Sequence, residues 1–197
     1  MRITSGIARG IVLKSPKGGA TRPATDAARQ AVFSSLASEV EGARVLDLFA
    51  GTGSYGLEAL SRGAKSAVFA ENSRAAYACL AENISAVKKC APQIEARAVF
   101  ADCFSLTSEK LGGGFDLIFA DAPYPLLQKK PDEIFGIFAR LASNSTIVVL
   151  EAPADFEPPA SEFRLLKRLG KSSKGKPSQL VMQKSAPDGA VQSGAQS

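Results

Sequence analysis

The sequence contains no histidine, and its three cysteines, Cys79, Cys90 and Cys103, lack CxxC spacing. The absence of histidine excludes Ser-His and Cys-His nucleophile pairs as well as zinc sites that use histidine. Scattered cysteines are typical of a reducing compartment, so we expect a cytoplasmic protein.

Long apolar runs are also missing. No stretch approaches the length that crosses a bilayer, and the opening residues "MRITSGIARG" lack the apolar core of a signal peptide. A chain of 197 residues with 45% hydrophobic and 22% charged residues can bury one full core. We therefore expect one catalytic domain that has no contact with a membrane.

The charge is unevenly distributed along the chain. The net charge is +5, and the basic excess falls mainly in the first thirty residues and between residues 161 and 184. Such runs are usually solvated surface, but they also suit the phosphates of a nucleic acid. Charge alone leaves both interpretations open.

Apolar segments of strand length alternate with helical segments after residue 40. This pattern predicts an α/β protein with a mostly parallel sheet that is covered by helices on both faces. Two less apolar strands at the end would close a seven-stranded sheet as a hairpin. The predicted strands are 44–49, 66–71, 96–101, 115–121, 146–151, 163–169 and 178–183.

The two ends of the chain differ from this region. Residues 1–20 alternate short apolar pieces with glycine, which predicts a small hairpin or an extended arm, and Asp26 can cap the helix that follows. The final segment "SAPDGAVQSGAQS" has no periodicity. We therefore expect an N-terminal arm and helix (1–40), a catalytic domain (41–184) and a disordered tail (185–197).

The segment "LDLFAGTGSYGLEAL" contains a glycine loop formed by Gly51, Gly53 and Gly56 after a predicted strand. A GxGxxG loop in this position usually receives the pyrophosphate of a dinucleotide. Asp47, four residues before the loop, would repel a pyrophosphate but attract the ammonium and sulfonium groups of S-adenosylmethionine. The acid therefore favours S-adenosylmethionine as the cofactor.

Further acids end the neighbouring strands, where ligands of open α/β sheets bind. Glu71 follows Asp47 by 24 residues and can accept both hydroxyls of a ribose. Asp102 can accept the adenine amino group, with a backbone N–H from Cys103 or Phe104. Glu151 ends the fifth strand. The expected cofactor-binding residues in this region are Asp47, Phe49, Gly51, Gly53, Glu71, Asn72, Asp102 and Cys103.

The segment "FADAPYPLL" places Asp121, Ala122, Pro123 and Tyr124 directly after the fourth strand. An exocyclic base amine is a poor nucleophile because its lone pair is delocalised into the ring. Asp121 and a main-chain carbonyl at Ala122 or Pro123 could accept its hydrogens and favour attack on an activated methyl group. Tyr124 could stack on the base. We expect these four residues to be catalytic.

At these motifs the chain resembles the RsmD-like family of methyltransferases, which modify a guanine 2-amino group in small-subunit (16S) ribosomal RNA. The resemblance runs from residue 1 to about residue 184. It rests on "MRITSGIARG", "TRPATDAARQAVFSSL", "GARVLDLFAGTGSYGLEALSRGA" and "FDLIFADAPY". The first two segments point to this family in particular.

The resemblance implies a Rossmann-like methyltransferase sheet, S-adenosylmethionine as cofactor, no metal, and a protein that we expect to be monomeric. It adds Arg22 and Thr25 to the cofactor-binding residues, with Asp26 and Arg29 as contributors to cofactor or RNA contact. It also implies contact with rRNA or the assembling small subunit through Arg2, Arg9, Lys14 and Arg29. The family motif usually reads Asp-Pro-Pro-Tyr, and Ala122 departs from it. Ala24 likewise replaces a usual threonine.

Three alternatives stay open. The same chemistry could act on another nucleic acid, such as an adenine 6-amino group in DNA or a different RNA. The chain could be a non-catalytic RNA-binding assembly factor that keeps the fold. A nicotinamide-dependent oxidoreductase is the third, and Asp47 disfavours it.

Overall fold

A computed structural model describes residues 1–16, 25–170 and 175–185 of the chain. Its centre is a seven-stranded sheet in the order β3-β2-β1-β4-β5-β7-β6. The first five strands in this order are parallel, whereas β7 runs antiparallel to both β5 and β6. The strands are β1 Arg44–Leu48, β2 Ser66–Glu71, β3 Glu95–Phe100, β4 Phe115–Ala120, β5 Ala142–Pro153, β6 Phe163–Gly170 and β7 Pro177–Lys184. The predicted seven-stranded, mostly parallel α/β sheet is confirmed.

Helices cover both faces of the sheet because successive strand residues point to opposite sides. Phe119 and Val149 pack into the cluster formed with α1, α3 and α4, while Ile118 and Val148 pack against α5, α6 and α7. The helices are α1 Asp26–Ser35, α2 Ala37–Val40, α3 Ser54–Ser61, α4 Arg74–Cys90, α5 Ser108–Leu111, α6 Tyr124–Lys129 and α7 Pro131–Leu141, with a 3-10 turn at Cys103–Ser105. Within the described ranges, no helix is both long and apolar enough to cross a membrane.

Helix α1 begins differently from the sequence prediction. The side chain of Thr25 caps it by accepting the N–H of Ala28 at 3.1 Å, so the assignment of the cap to Asp26 is wrong. Asp26 instead lies in the first turn, where its carboxylate pairs with Arg29 at 3.0 Å and complements the positive end of the helix.

The N-terminal arm, residues 1–16 of the structure, packs on α3. A β-bridge joins Arg2 to Val12, which agrees with the small hairpin expected there. Glu58 of α3 accepts the backbone N–H and the hydroxyl of Thr4 at 2.8 and 2.6 Å. Ser61 accepts the N–H of Ala8 at 2.9 Å. The apolar residues Ile3, Ala8 and Leu13 belong to the same core cluster as β1 and α3. The arm is therefore part of the main core.

Arg29 is fully buried beneath this arm. Its Nε pairs with Glu58 at 3.4 Å, and its Nη2 donates to Asp26 and to the carbonyl of Arg2. The expectation that Arg29 contacts RNA is therefore wrong, because its guanidinium has 0% exposure and is engaged inside the protein. Arg2, Arg9 and Lys14 are exposed, although Lys14 pairs with Glu82.

Some expectations fall on residues that the structure does not describe. Arg22, expected at the cofactor, lies in the segment 17–24 outside the described residues. The predicted disordered tail likewise lies outside them from residue 186 onward.

Candidate active site

Acidic side chains line the edge where the parallel strands end. Asp47 pairs in register with Phe69 and Phe119, and Ala120 pairs with Leu150, so Asp121 and Glu151 follow at the next position of neighbouring strands. Residues two apart share a face, which puts Asp47, Asp121 and Glu151 on the side covered by α1 and α3. The structure thus brings together three of the predicted strand-end acids.

Two of the acids hold the glycine loop. Asp47 is 2% exposed, and its Oδ2 accepts the N–H of Gly56 at 2.9 Å. Glu71 accepts the N–H of Gly51 at 2.7 Å on Oε2 and the N–H of Ser73 at 2.6 Å on Oε1. The loop N–H groups that a phosphate would need are therefore already bound to carboxylates. A pyrophosphate does not fit this loop, because two N–H donors that it would need are engaged and the Glu71 carboxylate would repel it.

The three glycines serve different purposes. A Cβ at Gly56 would lie 2.3 Å from the Phe69 ring, and one at Gly53 would lie 2.5 Å from Leu80, so both positions need glycine for internal packing. Gly51 has a φ of +55°, and nothing lies within 4 Å of a Cβ built there. Gly51 is thus the glycine whose outer side stays open to a ligand.

Burial alters the charge of Asp47. Removal from water raises the pKa of this carboxyl to about 8. The hydrogen bond from the Gly56 N–H lowers the pKa, whereas the charge of Glu71 raises it further. Asp47 therefore holds a proton at neutral pH in the ligand-free protein. A bound cation would favour its ionised form.

The residues expected around adenine form a second small group. Phe49 donates its N–H to the Cys103 sulfur at 3.4 Å, and its ring meets the Phe104 ring edge-on at 6.4 Å. Asp102 is exposed and accepts the N–H of Phe104 at 3.1 Å, so that N–H is not free for a base. Burial raises the pKa of the Cys103 thiol to about 12, which leaves it an unreactive thiol. Asn72 and Thr25 are exposed.

The turn after β4 contains the two candidate carbonyls, and only one of them is already hydrogen-bonded. Pro123 precedes α6, and its carbonyl accepts the N–H groups of Leu126 and Leu127 at 2.8 and 3.0 Å. No described N–H donates to the carbonyl of Ala122. Ala122 as a whole is buried, with its side chain in the core beside β4 and α6. Of the two carbonyls, that of Ala122 is therefore the one with capacity for a ligand.

Asp121 and Tyr124 flank this carbonyl. Among the described residues, none donates a hydrogen bond to the Asp121 carboxylate, and burial together with the charges of Glu151 and Asp47 raises its pKa well above the usual range. Tyr124 is partly exposed at the start of α6, and burial raises the pKa of its phenol, which stays neutral. An acceptor and a flat ring thus lie together at this rim.

The sequence reasoning missed two residues that hold the site and the arm in place. Tyr55 stacks on Phe119 with ring centroids 5.1 Å apart and donates its hydroxyl to Glu151 Oε2 at 3.2 Å. Glu58 anchors the arm from a helix that is otherwise apolar or small in its middle. A single charge inside such a helix is a usable signal, since buried charges need partners. The role of Tyr55 had no comparable signal, because a helix aromatic most often just fills a core.

The chain is similar to a known protein family and to named methyltransferases. The model of the family described as "Conserved hypothetical protein 95" matches residues 1–177. "Ribosomal RNA small subunit methyltransferase D" of Escherichia coli (strain K12) is 37% identical over 124 residues, which are 63% of this chain and 60% of that protein. "Putative rRNA methyltransferase YlbH" of Bacillus subtilis (strain 168) is 34% identical over 124 residues, or 63% of this chain and 67% of that protein.

The likeness extends to a solved structure. "Putative methyltransferase yhhF from Escherichia coli" superposes with a TM-score of 0.75 and 26% identity, covering 94% of this chain and 98% of that one. The matched segment thus spans 60% of the E. coli sequence relative, whereas the fold is shared over nearly the whole chain.

Proposed function

The chain belongs to the conserved hypothetical protein 95 family, the RsmD-like family that the motifs predicted, and on this premise we propose its reaction. The protein transfers a methyl group from S-adenosylmethionine to the exocyclic 2-amino group of a guanine in small-subunit rRNA. The observation that carries this proposal is the position of Asp121 and the free Ala122 carbonyl beside the acid-bound glycine loop.

The acidic side chains of the site suit a cofactor that carries positive charge. Asp47, Asp121 and Glu151 form a group of acids in which, among the described residues, no lysine or arginine pairs with any of the three. The sulfonium of S-adenosylmethionine, a charge that S-adenosylhomocysteine lacks, would relieve this imbalance. S-adenosylmethionine, when bound, supplies a methyl group that is already activated on a sulfonium. We assign Gly51, Gly53, Asp47 and Glu71 to the methionine and ribose side.

The adenine side follows from the second group of residues. Phe49 and Cys103 form its apolar wall, and the exposed carboxylate of Asp102 keeps acceptor capacity for the amino group. Asn72, Thr25 and Arg22 complete the proposed contacts on the strength of the family resemblance.

The chain's own residues then act on the base. The Asp121 carboxylate accepts one hydrogen of the amine, and the Ala122 carbonyl accepts the other, which turns the nitrogen lone pair away from the ring. As the nitrogen attacks, Asp121 offsets the positive charge that develops there and receives the proton that leaves. Tyr124 stacks on the base, and Pro123, the residue before α6, fixes one backbone dihedral of the turn.

The RNA approaches from the side of the arm. Arg2 and Arg9 are exposed there without any ion pair among the described residues, and Lys14 lies farther along the same arm. These residues would contact rRNA phosphates. We therefore keep residues 1–40 as the RNA and cofactor contact region and residues 41–184 as the methyltransferase domain.

One experiment tests both the reaction and its acceptor. Labelled methyl transfer is measured on small-subunit rRNA, tRNA and duplex DNA, followed by nucleoside analysis, with wild type, Asp121→Asn and the control Asp132→Asn. Asp132 is exposed in the first turn of α7. We expect 2-methylguanosine in rRNA and a loss of roughly 10²–10⁴-fold for Asp121→Asn in single-turnover transfer.

Cofactor binding separates the possible outcomes of this experiment. Asp121→Asn should bind S-adenosylhomocysteine as wild type does, and Asp132→Asn should keep full activity. Near wild-type turnover for Asp121→Asn would remove its catalytic role. Methylated adenine in DNA, without methylated guanine in rRNA, would contradict the proposed substrate.

A further inference from the structure

Only one of the two carboxylate oxygens of Glu151, at the end of β5, accepts hydrogen bonds from described residues. Glu151 is 4% exposed, and both hydrogen bonds to its side chain are accepted by Oε2. The Tyr55 hydroxyl donates to this oxygen at 3.2 Å, and the Gln179 side-chain amide donates at 3.5 Å. Oε1 receives no hydrogen bond from any described residue. A buried carboxylate oxygen without a donor is costly unless it meets a ligand or water.

The unpartnered oxygens of Glu151 and Asp121 are not completely enclosed by protein atoms. Arg29 Nη1 is the one fully enclosed side-chain nitrogen or oxygen without a partner in the described part of the chain. Glu151 Oε1 and the Asp121 oxygens have no partner either, and therefore they are not sealed from the surface. They lie on one face of the sheet at the same register position of neighbouring parallel strands. The rim thus presents two adjacent acceptors.

Two adjacent hydrogen-bond acceptors match the pairing edge of guanine. Guanine carries two neighbouring donors on its pairing edge, the N1–H and the 2-amino group. Adenine has its amino group beside N1, which is an acceptor. Building on the proposed function, we infer that Glu151 is a specificity-determining residue whose Oε1 accepts the N1–H of the target guanine while Asp121 accepts a hydrogen of the 2-amino group. An adenine would bring its N1 lone pair against the Glu151 carboxylate and be rejected.

Tyr55 and Gln179 are positioning residues in this arrangement. Both donate to Oε2, which fixes the carboxylate plane and leaves Oε1 directed away from them. The stacking of Tyr55 on Phe119 holds the phenol in place from the sheet side. The selectivity for guanine therefore depends on a contact between α3, β7 and β5.

Glu151→Gln tests the inference because it reverses the polarity of one atom. Tyr55 and Gln179 both donate, so the amide oxygen takes the place of Oε2 and the NH₂ group takes the place of Oε1. The variant then offers a donor where guanine also has a donor. 2-Aminopurine keeps the 2-amino group but has an unprotonated N1, and it should suit the variant better.

The probes are two RNAs that differ at one base. Nucleoside mapping of rRNA methylated by wild type first locates the target, and ligated rRNA fragments then carry guanine or 2-aminopurine there. In single-turnover transfer we expect wild type to prefer guanine by roughly 10–150-fold, the ratio for one hydrogen bond to a charged acceptor. Glu151→Gln should lose about that factor on guanine and little on 2-aminopurine, with unchanged binding of S-adenosylhomocysteine.

Control variants make each outcome decisive. Glu162→Gln changes a half-exposed carboxylate that pairs with Lys184, and it should behave as wild type. If Glu151→Gln does not fold, Tyr55→Phe keeps the ring and removes one donor to Oε2, and it should lower the guanine preference. Equal losses on both RNAs, or an unchanged preference, would overturn the inference while wild-type 2-methylguanosine upholds the reaction. No 2-methylguanosine in rRNA from wild type would overturn the proposed function and this inference together.

Discussion

Replacing Glu58 with Gln should detach the N-terminal arm from the main core. The carboxylate is fully buried and accepts from Thr4, Ser5, Arg29 and Arg62, with Arg62 Nε at 2.8 Å and the Ser5 N–H at 3.1 Å. Glutamine keeps one acceptor oxygen, loses the charge and places an NH₂ group against these donors. Removing one partner of a buried ion pair typically costs about 3–5 kcal/mol, because the other charge stays buried without compensation. Arg29 would then keep only the partly exposed carboxylate of Asp26 as a paired charge.

Urea unfolding gives the magnitude, and limited proteolysis shows where the loss occurs. Glu58→Gln should lower the free energy of unfolding by about 3–5 kcal/mol and expose the arm to cleavage. Glu82→Gln is the matched control, because it removes the same charge from an exposed pair with Lys14 and should leave the unfolding midpoint in place. A loss for Glu58→Gln no larger than that of the control would refute the reasoning that this carboxylate holds the arm.

Three further predictions concern the site and the RNA. The free energy of unfolding of the ligand-free protein should fall between about pH 4 and 8, since folded Asp47 keeps its proton up to a pKa of about 8 while the unfolded chain has released it. Asp47→Asn, which can still accept from Gly56, should flatten this slope in urea titrations at several pH values, and an unchanged slope would assign it to other groups. Glu71→Ala should weaken S-adenosylhomocysteine binding by about 1.5–3 kcal/mol in calorimetry, and equal affinity would contradict the assigned ribose contact. Replacing Arg2 and Arg9 by Gln should flatten the salt dependence of RNA binding by roughly 0.7–0.9 log units for each phosphate that the protein no longer neutralises, whereas a parallel line would mean that these charges only solvate the arm.

The centres of the strands could be predicted from the sequence because they are apolar on both faces. The start of β5 could not, since Ser143, Asn144 and Ser145 show no apolar pattern. These residues join the strand where the Thr146 hydroxyl donates to the Phe115 carbonyl at 2.6 Å and accepts the Ser143 N–H at 2.9 Å. A contact between β4 and β5, made by two residues that are 31 positions apart in the sequence, thus decides where β5 begins.

The same distinction applies to the site. The strand-end acids could be found from the sequence, because parallel strands deliver their carboxyl ends to one edge. The partner of Arg29 could not, since Glu58 is on another helix and no local pattern links the two residues. Whether the Ala122 or the Pro123 carbonyl is free depends on where α6 begins, and no side-chain cap marks the start at Tyr124.

The docking of the arm on α3 has a consequence for synthesis on the ribosome. Thr4 bonds to Glu58 and Ala8 bonds to Ser61, contacts that span 54 and 53 residues. At about 5–20 residues per second, the arm emerges roughly 3–11 s before the helix that receives it. During that interval Ile3 and Leu13, which are buried in the finished protein, have no surface to cover them. The arm therefore cannot dock until α3 follows, and during that interval it offers chaperones an exposed apolar segment.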